Sequence, residues 1–142
     1  MNFDMHTHFI PPEFIEAIVS LQQTRERRAA CATDLVQFHD RSVVCTAALA
    51  DYLGFPRSPN LLEELRRVRE DSVFETSVLF LKNLGFVTPT EARRITYEET
   101  VRFEQVHERV YRDLGYEIVL IEPGSVSDRV KQIKRSLSLE RT

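Results

Sequence analysis

The stretch LVQFHDRS, residues 35–42, gathers the residues of this chain most able to do chemistry. Leu35–Phe38 is a short apolar run, predicted as a buried strand, and Asp40 stands at its end. In a parallel sheet that places a carboxylate at the C-terminal strand edge, where open α/β folds take their ligands. A carboxylate there can organise Mg²⁺ through water, and Arg41 beside it can reach phosphate oxygens. An Asp in this place can equally cap the next helix, so the pattern leaves both roles open. A second group is Arg93-Arg94, in the polar stretch after Thr88-Pro89-Thr90. Two planar guanidinium groups can close over polyphosphate, or pair with Glu98 and Glu99 at the following helix start. A third is Asp4-Met5-His6-Thr7-His8. On a strand, His6 and His8 share a face and could hold one divalent metal. Further ligands would be needed, and a polar N-terminal extension explains the pair as well.

These groups need elements to position them. After Pro11-Pro12, apolar residues at Phe14, Ile15, Ile18 and Leu21 predict a helix, closed by the basic cluster Arg25–Arg28. Ser42 to Tyr52 reads as a helix stopped by Gly54 and Pro56. Ser58-Pro59 marks an N-cap with proline at the first helical position. Val73–Leu81 is predicted as a second buried strand. Thr96 and Glu99 form a capping box opening a helix that carries Phe103, Val106 and Val110 and ends at Gly115. Glu117–Ile121 is a third short strand, Pro123-Gly124-Ser125 a turn, and Val126, Val130, Ile133 and Leu137 the apolar stripe of a last helix. Strands alternating with amphipathic helices imply an α/β domain with a mainly parallel sheet over residues 13–138, preceded by an extension at 1–12 and followed by a loose tail at 139–142.

The 142 residues suit one domain, and 42% hydrophobic with 29% charged residues is ordinary globular composition. No long apolar run predicts a membrane span, and a net charge of −3 argues against nucleic acid as partner. Cys31 and Cys45 do not form a CxxC pair and are predicted as buried thiols in a reducing, cytoplasmic setting. There is no G-x-S-x-G motif to support nucleophilic hydrolysis.

The stretches FIEAIVSLQ, QFHDRSVVCTAALADYLG, FLKNLGFVTPTEARRITYEET, FEQVHERVYRDLGYEIVLIEPG and DRVKQI together resemble an AAA ATP-binding family related to small-molecule and nucleotide kinases. That resemblance covers about residues 13–137 and implies a P-loop NTPase-like, three-layer parallel sheet. It implies that Asp40 is a Walker B carboxylate serving Mg²⁺, with Arg41 as its neighbour, and that Arg93 and Arg94 are lid arginines over the phosphates of ATP. It also places Pro123, Gly124 and Ser125 near the nucleotide base.

A phosphate-gripping G-x-x-x-x-G-K-[ST] needs backbone N–H groups and a lysine around the phosphates. The glycines here are Gly54, Gly85, Gly115 and Gly124, and none precedes a lysine. The resemblance implies that the P-loop, with its strand and helix, precedes the region at which this chain begins. The expectation is therefore an incomplete P-loop domain, weak or inactive towards ATP alone, whose unpaired strand edges favour a homo-oligomer or a partner chain supplying the missing strand. The alternative expectations are a non-enzymatic interaction module and a remnant of a metal-dependent hydrolase. For the latter, FDMHTHFIPPEF resembles the H-x-H opening strand of amidohydrolases, although their barrel takes about 250 residues.

Overall fold

The structure, a computed structural model, describes residues 11–34, 36–85 and 96–137. It falls into two compact units that divide between Phe74 and Glu75.

The first unit is helical. It contains α1 (Pro12–Ala30), α2 (Val43–Leu53) and α3 (Pro59–Glu70). Each start has a local cause. Pro12 stands in the first turn of α1, where its missing N–H costs nothing. The Ser42 hydroxyl accepts the Val44 N–H at 3.1 Å, and the Ser58 hydroxyl accepts the Leu61 N–H at 3.1 Å. Gly54 closes α2 in the left-handed region (φ 76), with the Phe55 N–H returning to the Ala50 carbonyl at 2.9 Å.

Helix α2 is the centre of this unit. Val43, Val44, Ala47, Ala48, Leu49 and Ala50 are all buried, and α2 packs on both α1 and α3. A helix apolar on every side has to be enclosed, and its alanines let the flanking helices approach closely. Ile15 and Val19 of α1 and Leu61, Leu65 and Val68 of α3 complete the core. A polar link joins α2 to α1, from Thr46 Oγ1 to Gln22 Oε1 at 2.7 Å.

The second unit is an α/β layer. Strands β1 (Ser77–Leu81) and β2 (Glu117–Ile121) pair in parallel, Ser77 opposite Glu117 and Leu81 opposite Ile121. Helix α4 (Tyr97–Asp113) connects them, and α5 (Val126–Ser136) follows β2; both pack on β2. The capping box is complete at Thr96 and Glu99. Gly115 ends α4 with φ 87, the Tyr116 N–H reaching back to the Tyr111 carbonyl at 3.0 Å. Val110, Tyr111, Tyr116 and Ile121 form a small core, in which the two tyrosine rings meet edge to face at 5.6 Å.

Three expectations change. Residues 36–39 form no strand, and Val36 and Phe38 are 55% and 66% exposed, so the buried strand ahead of Asp40 is not found and the described sheet has two strands. An apolar run becomes a strand only by pairing with another strand, and residues 36–39 pair with none among the described residues. The strand expected from Val73 begins only at Ser77 because Ser72 (φ 49) and Val73 terminate α3, the Val73 N–H bonding the Val68 carbonyl at 3.1 Å. Cys31 is exposed, because it follows the end of α1 and is not on its buried face, and Cys45 is half-buried; neither is in a disulfide.

Candidate functional site

The Asp40-Arg41-Ser42 element joins the exposed 36–39 segment to the most buried helix of the first unit. Ser42 is extended (φ −147, ψ 179) and caps α2, whose first turn contains no acidic residue. Arg41 has φ 71, a left-handed conformation that L residues other than Gly, Asn and Asp rarely adopt. That conformation turns the chain sharply between Asp40 and the cap. Asp40 and Arg41 are both exposed, two and one residues before the positive end of α2. The segment leading to them is held at two points. Gln37 Nε2 donates to the Ala29 carbonyl at 2.9 Å, and the His39 ring meets Phe74 edge-on at 5.4 Å.

Deeper in this unit sit residues that the helical pattern had assigned no role. Glu26 of α1 and Glu64 of α3 are buried, and both bond the Arg67 guanidinium. Arg67 donates through Nε and Nη2 to Glu64 Oε2 at 3.1 and 2.9 Å, and through Nη2 to Glu26 Oε2. Burial pushes the Glu26 carboxyl above the usual carboxylate range, against the pull of Arg67, and the Glu64 charge pushes the same way. Their spacing carried a signal. Glu26 continues the Ile15, Val19, Gln22 stripe of α1, and Glu64 shares the face of Leu61, Leu65 and Val68. A charge at a core position calls for a buried partner.

In the second unit the parallel strands end together at a polar cluster. Glu104 of α4 accepts the Asn83 backbone N–H at 3.1 Å and its Nδ2 at 2.9 Å, and pairs with Lys82 Nζ at 2.8 Å. Burial pushes the Glu104 carboxyl up, but the Lys82 and Asn83 donors outweigh it and hold the group below its ordinary value. Hydrogen bonding to Glu104 raises Lys82 in turn. Arg129 Nη2 donates to the Lys82 carbonyl, while its buried Nε has no partner among the described residues. The Pro123-Gly124-Ser125 turn lies exposed at this end, and the Ser125 hydroxyl accepts the Asp128 N–H at 3.1 Å to start α5. A Cβ on Gly124 would meet Asp128 at 3.5 Å, ordinary contact, so the turn does not require glycine.

Asp40 and Arg41 thus lie in the first unit and Pro123, Gly124 and Ser125 in the second. Arg93, Arg94, His6 and His8 lie outside the described residues. Among the described residues no group of three or more His, Cys, Asp or Glu could hold a metal ion, and no helix is long and apolar enough to cross a membrane. A groove of about 270 Å³ at the foot of α1 is lined by Pro12, Ile15, Phe55 and Pro56. Glu13, Glu16 and Ser58 also line it, and Glu16 is already engaged by Ser58 Oγ and by Asn60 Nδ2 at 3.0 Å.

The donor set tests ATP directly. A polyphosphate requires several backbone N–H groups converging from a glycine-rich loop. At the described candidate element the chain offers one exposed carboxylate, one exposed arginine and a serine-capped helix start. Those residues suit one water-mediated metal contact and do not fit a triphosphate by themselves.

A family model described as an AAA domain matches residues 3–129, most of the chain. No curated protein and no solved structure matches it.

Proposed function

The chain belongs to the AAA domain family, in the P-loop NTPase and kinase-like class, and on that premise we propose that it supplies the metal-organising side of an ATP-binding domain. Asp40 would position Mg²⁺ through water, Arg41 would meet phosphate, and Arg93 and Arg94 would close as a lid. The parent chemistry is ATP binding with phosphoryl transfer or hydrolysis. One observation carries the reading: the strained Arg41 backbone presents an exposed carboxylate and an exposed guanidinium at the start of the buried helix α2. Strain in a sparsely populated backbone region persists where its surroundings impose it, and such places concentrate at functional sites.

The same donor set makes this chain alone a poor ATP binder, because arginines bring charge but no cradle of N–H groups. Calorimetric titration of Mg²⁺-ATP into the full chain is expected to give no saturable heat at micromolar concentrations, with Asp40→Ala indistinguishable from it. Micromolar binding that Asp40→Ala abolishes would overturn the inference drawn from the missing motif.

A second reading, an interaction module that pairs with another polypeptide through its strand edge, is favoured by the exposure of Val36 and Phe38 in a segment without a strand neighbour. Light scattering on the eluting protein separates the readings. A dimer stable at micromolar concentration supports the module, and a monodisperse monomer that melts cooperatively removes it.

A further inference from the structure

Helix α5 is amphipathic, yet none of its residues is buried. At about 100° per residue, Val126, Val130, Ile133 and Leu137 fall within roughly 60° of one another. Val126 is 80% exposed, Val130 42% and Leu137 38%, so β2 covers this stripe only in part, around the half-buried Ile133.

The two flanks of the stripe differ. Arg129 and Gln132 lie about 70° and 130° to one side. That flank is fixed to the strand ends: Arg129 donates to the Lys82 carbonyl, and the Gln132 amide accepts from the Glu122 N–H at 2.8 Å and donates to the Glu122 carbonyl at 3.3 Å. Lys134 and Lys131 lie about 70° and 130° to the other side. Both are exposed, and among the described residues neither makes an ion pair. The helix therefore presents a partly covered apolar stripe with Lys134 along one edge and Lys131 beyond it, neither in an ion pair among the described residues, on a chain whose net charge is −3.

We propose that this face of α5 docks an acidic amphipathic helix of another polypeptide. The four-three-four spacing of the stripe is that of a helix–helix seam, and two valines and an isoleucine suit ridge packing. A lipid surface is usually met by Trp, Phe and Leu, and α5 has no aromatic residue. Charge complementarity across the Lys131 and Lys134 flank selects Asp or Glu on the partner. The proposal concerns a helix face and requires neither ATP binding nor strand pairing.

The test is an anisotropy titration of the full chain against labelled helical peptides of about 18 residues, long enough to hold a helix. Both peptides carry a leucine stripe, one flanked by Glu and the other by Lys; vesicles of phosphatidylserine and phosphatidylcholine are the third probe. The Glu-flanked peptide is expected to bind about tenfold tighter than the Lys-flanked one. Lys131→Glu with Lys134→Glu should reverse that preference with an unchanged thermal melt, since both positions are exposed. Val130→Asp should weaken both peptides about tenfold. Equal affinity for the two peptides, a preference that survives the double substitution, or binding to vesicles without binding to peptide would each overturn the proposal.

Discussion

The two units bury their apolar surface to different degrees. In the first, α1 and α3 flank α2, and six residues of α2 from Val43 to Ala50 are buried hydrophobic groups. In the second, the buried hydrophobic residues are Val110, Tyr111, Tyr116 and Ile121, while Leu81, Leu120, Val126, Val130 and Leu137 remain exposed. A helix that is apolar all round demands enclosure, and α1 and α3 provide it. The two described strands offer too little face to cover two amphipathic helices. The difference places the larger buried core in the first unit and more of the exposed large apolar side chains in the second.

The largest expected effect is a core truncation in the first unit. Leu61 is fully buried, so Leu61→Ala should cost about 3 kcal/mol through lost contacts and the cavity it leaves. Val126→Ala in α5, at 80% exposure, should stay within about 0.5 kcal/mol. Urea midpoints from far-UV circular dichroism measure both. Equal losses at the two positions would break the comparison, because Val126 would then have to be covered.

The next contrast is one of acid response. The Glu26 carboxyl is raised in the folded chain by burial, so the stability it contributes is full below the unfolded carboxylate range and is lost as pH rises through its folded value. Glu104 is depressed, since its Lys82 and Asn83 donors outweigh burial; its contribution is present above the unfolded value and lost as pH falls through the folded one. Glu104→Gln should therefore cost about 1–2 kcal/mol at neutral pH, with the deficit closing in acid. Glu26→Gln should be neutral or stabilising by about 0.5 kcal/mol at neutral pH, with its advantage disappearing in acid. Urea midpoints collected from neutral to acid pH check both signs, and a shared sign would show that one of the two clusters has been misjudged.

What could be read from the residues alone follows the range of the interactions involved. Ser58-Pro59, the Thr96–Glu99 capping box, Glu117–Ile121 and the α5 stripe were legible because caps, turns and helical periods are written within a few residues. Within the Leu35–Phe38 run, whose Leu35 lies outside the described residues, residues 36–38 misled because an apolar run records an appetite for a strand neighbour without naming one. The Val73 boundary misled because β-branched residues suit a strand, whereas the backbone at Ser72 and Val73 is spent on ending α3. At the candidate element, Asp40 and Arg41 were visible as residue types. The left-handed turn at Arg41 was not, since nothing about arginine announces it. The Glu26–Arg67–Glu64 cluster was half-legible: two acids stood on apolar stripes, but their meeting at one arginine depends on how α1 and α3 pack.

The smallest effect bears most closely on the candidate element. Arg41 holds φ 71 at an exposed position, immediately before the cap of the best-packed helix. A left-handed L residue carries a backbone cost of about 1–2 kcal/mol that glycine avoids, offset by the greater freedom glycine has in the unfolded chain. Arg41→Gly should therefore raise stability by about 0.5 kcal/mol, whereas Arg41→Ala, which keeps the Cβ, should leave it unchanged. The urea midpoints of the two variants, read side by side, isolate the backbone from the guanidinium. If glycine stabilises and alanine does not, the strain is real and is retained for what the arginine side chain does in the surrounding solvent. If both destabilise equally, the guanidinium is holding the turn in place, Arg41 is part of the α2 cap, and Asp40 loses the neighbour that makes it a candidate for metal and phosphate.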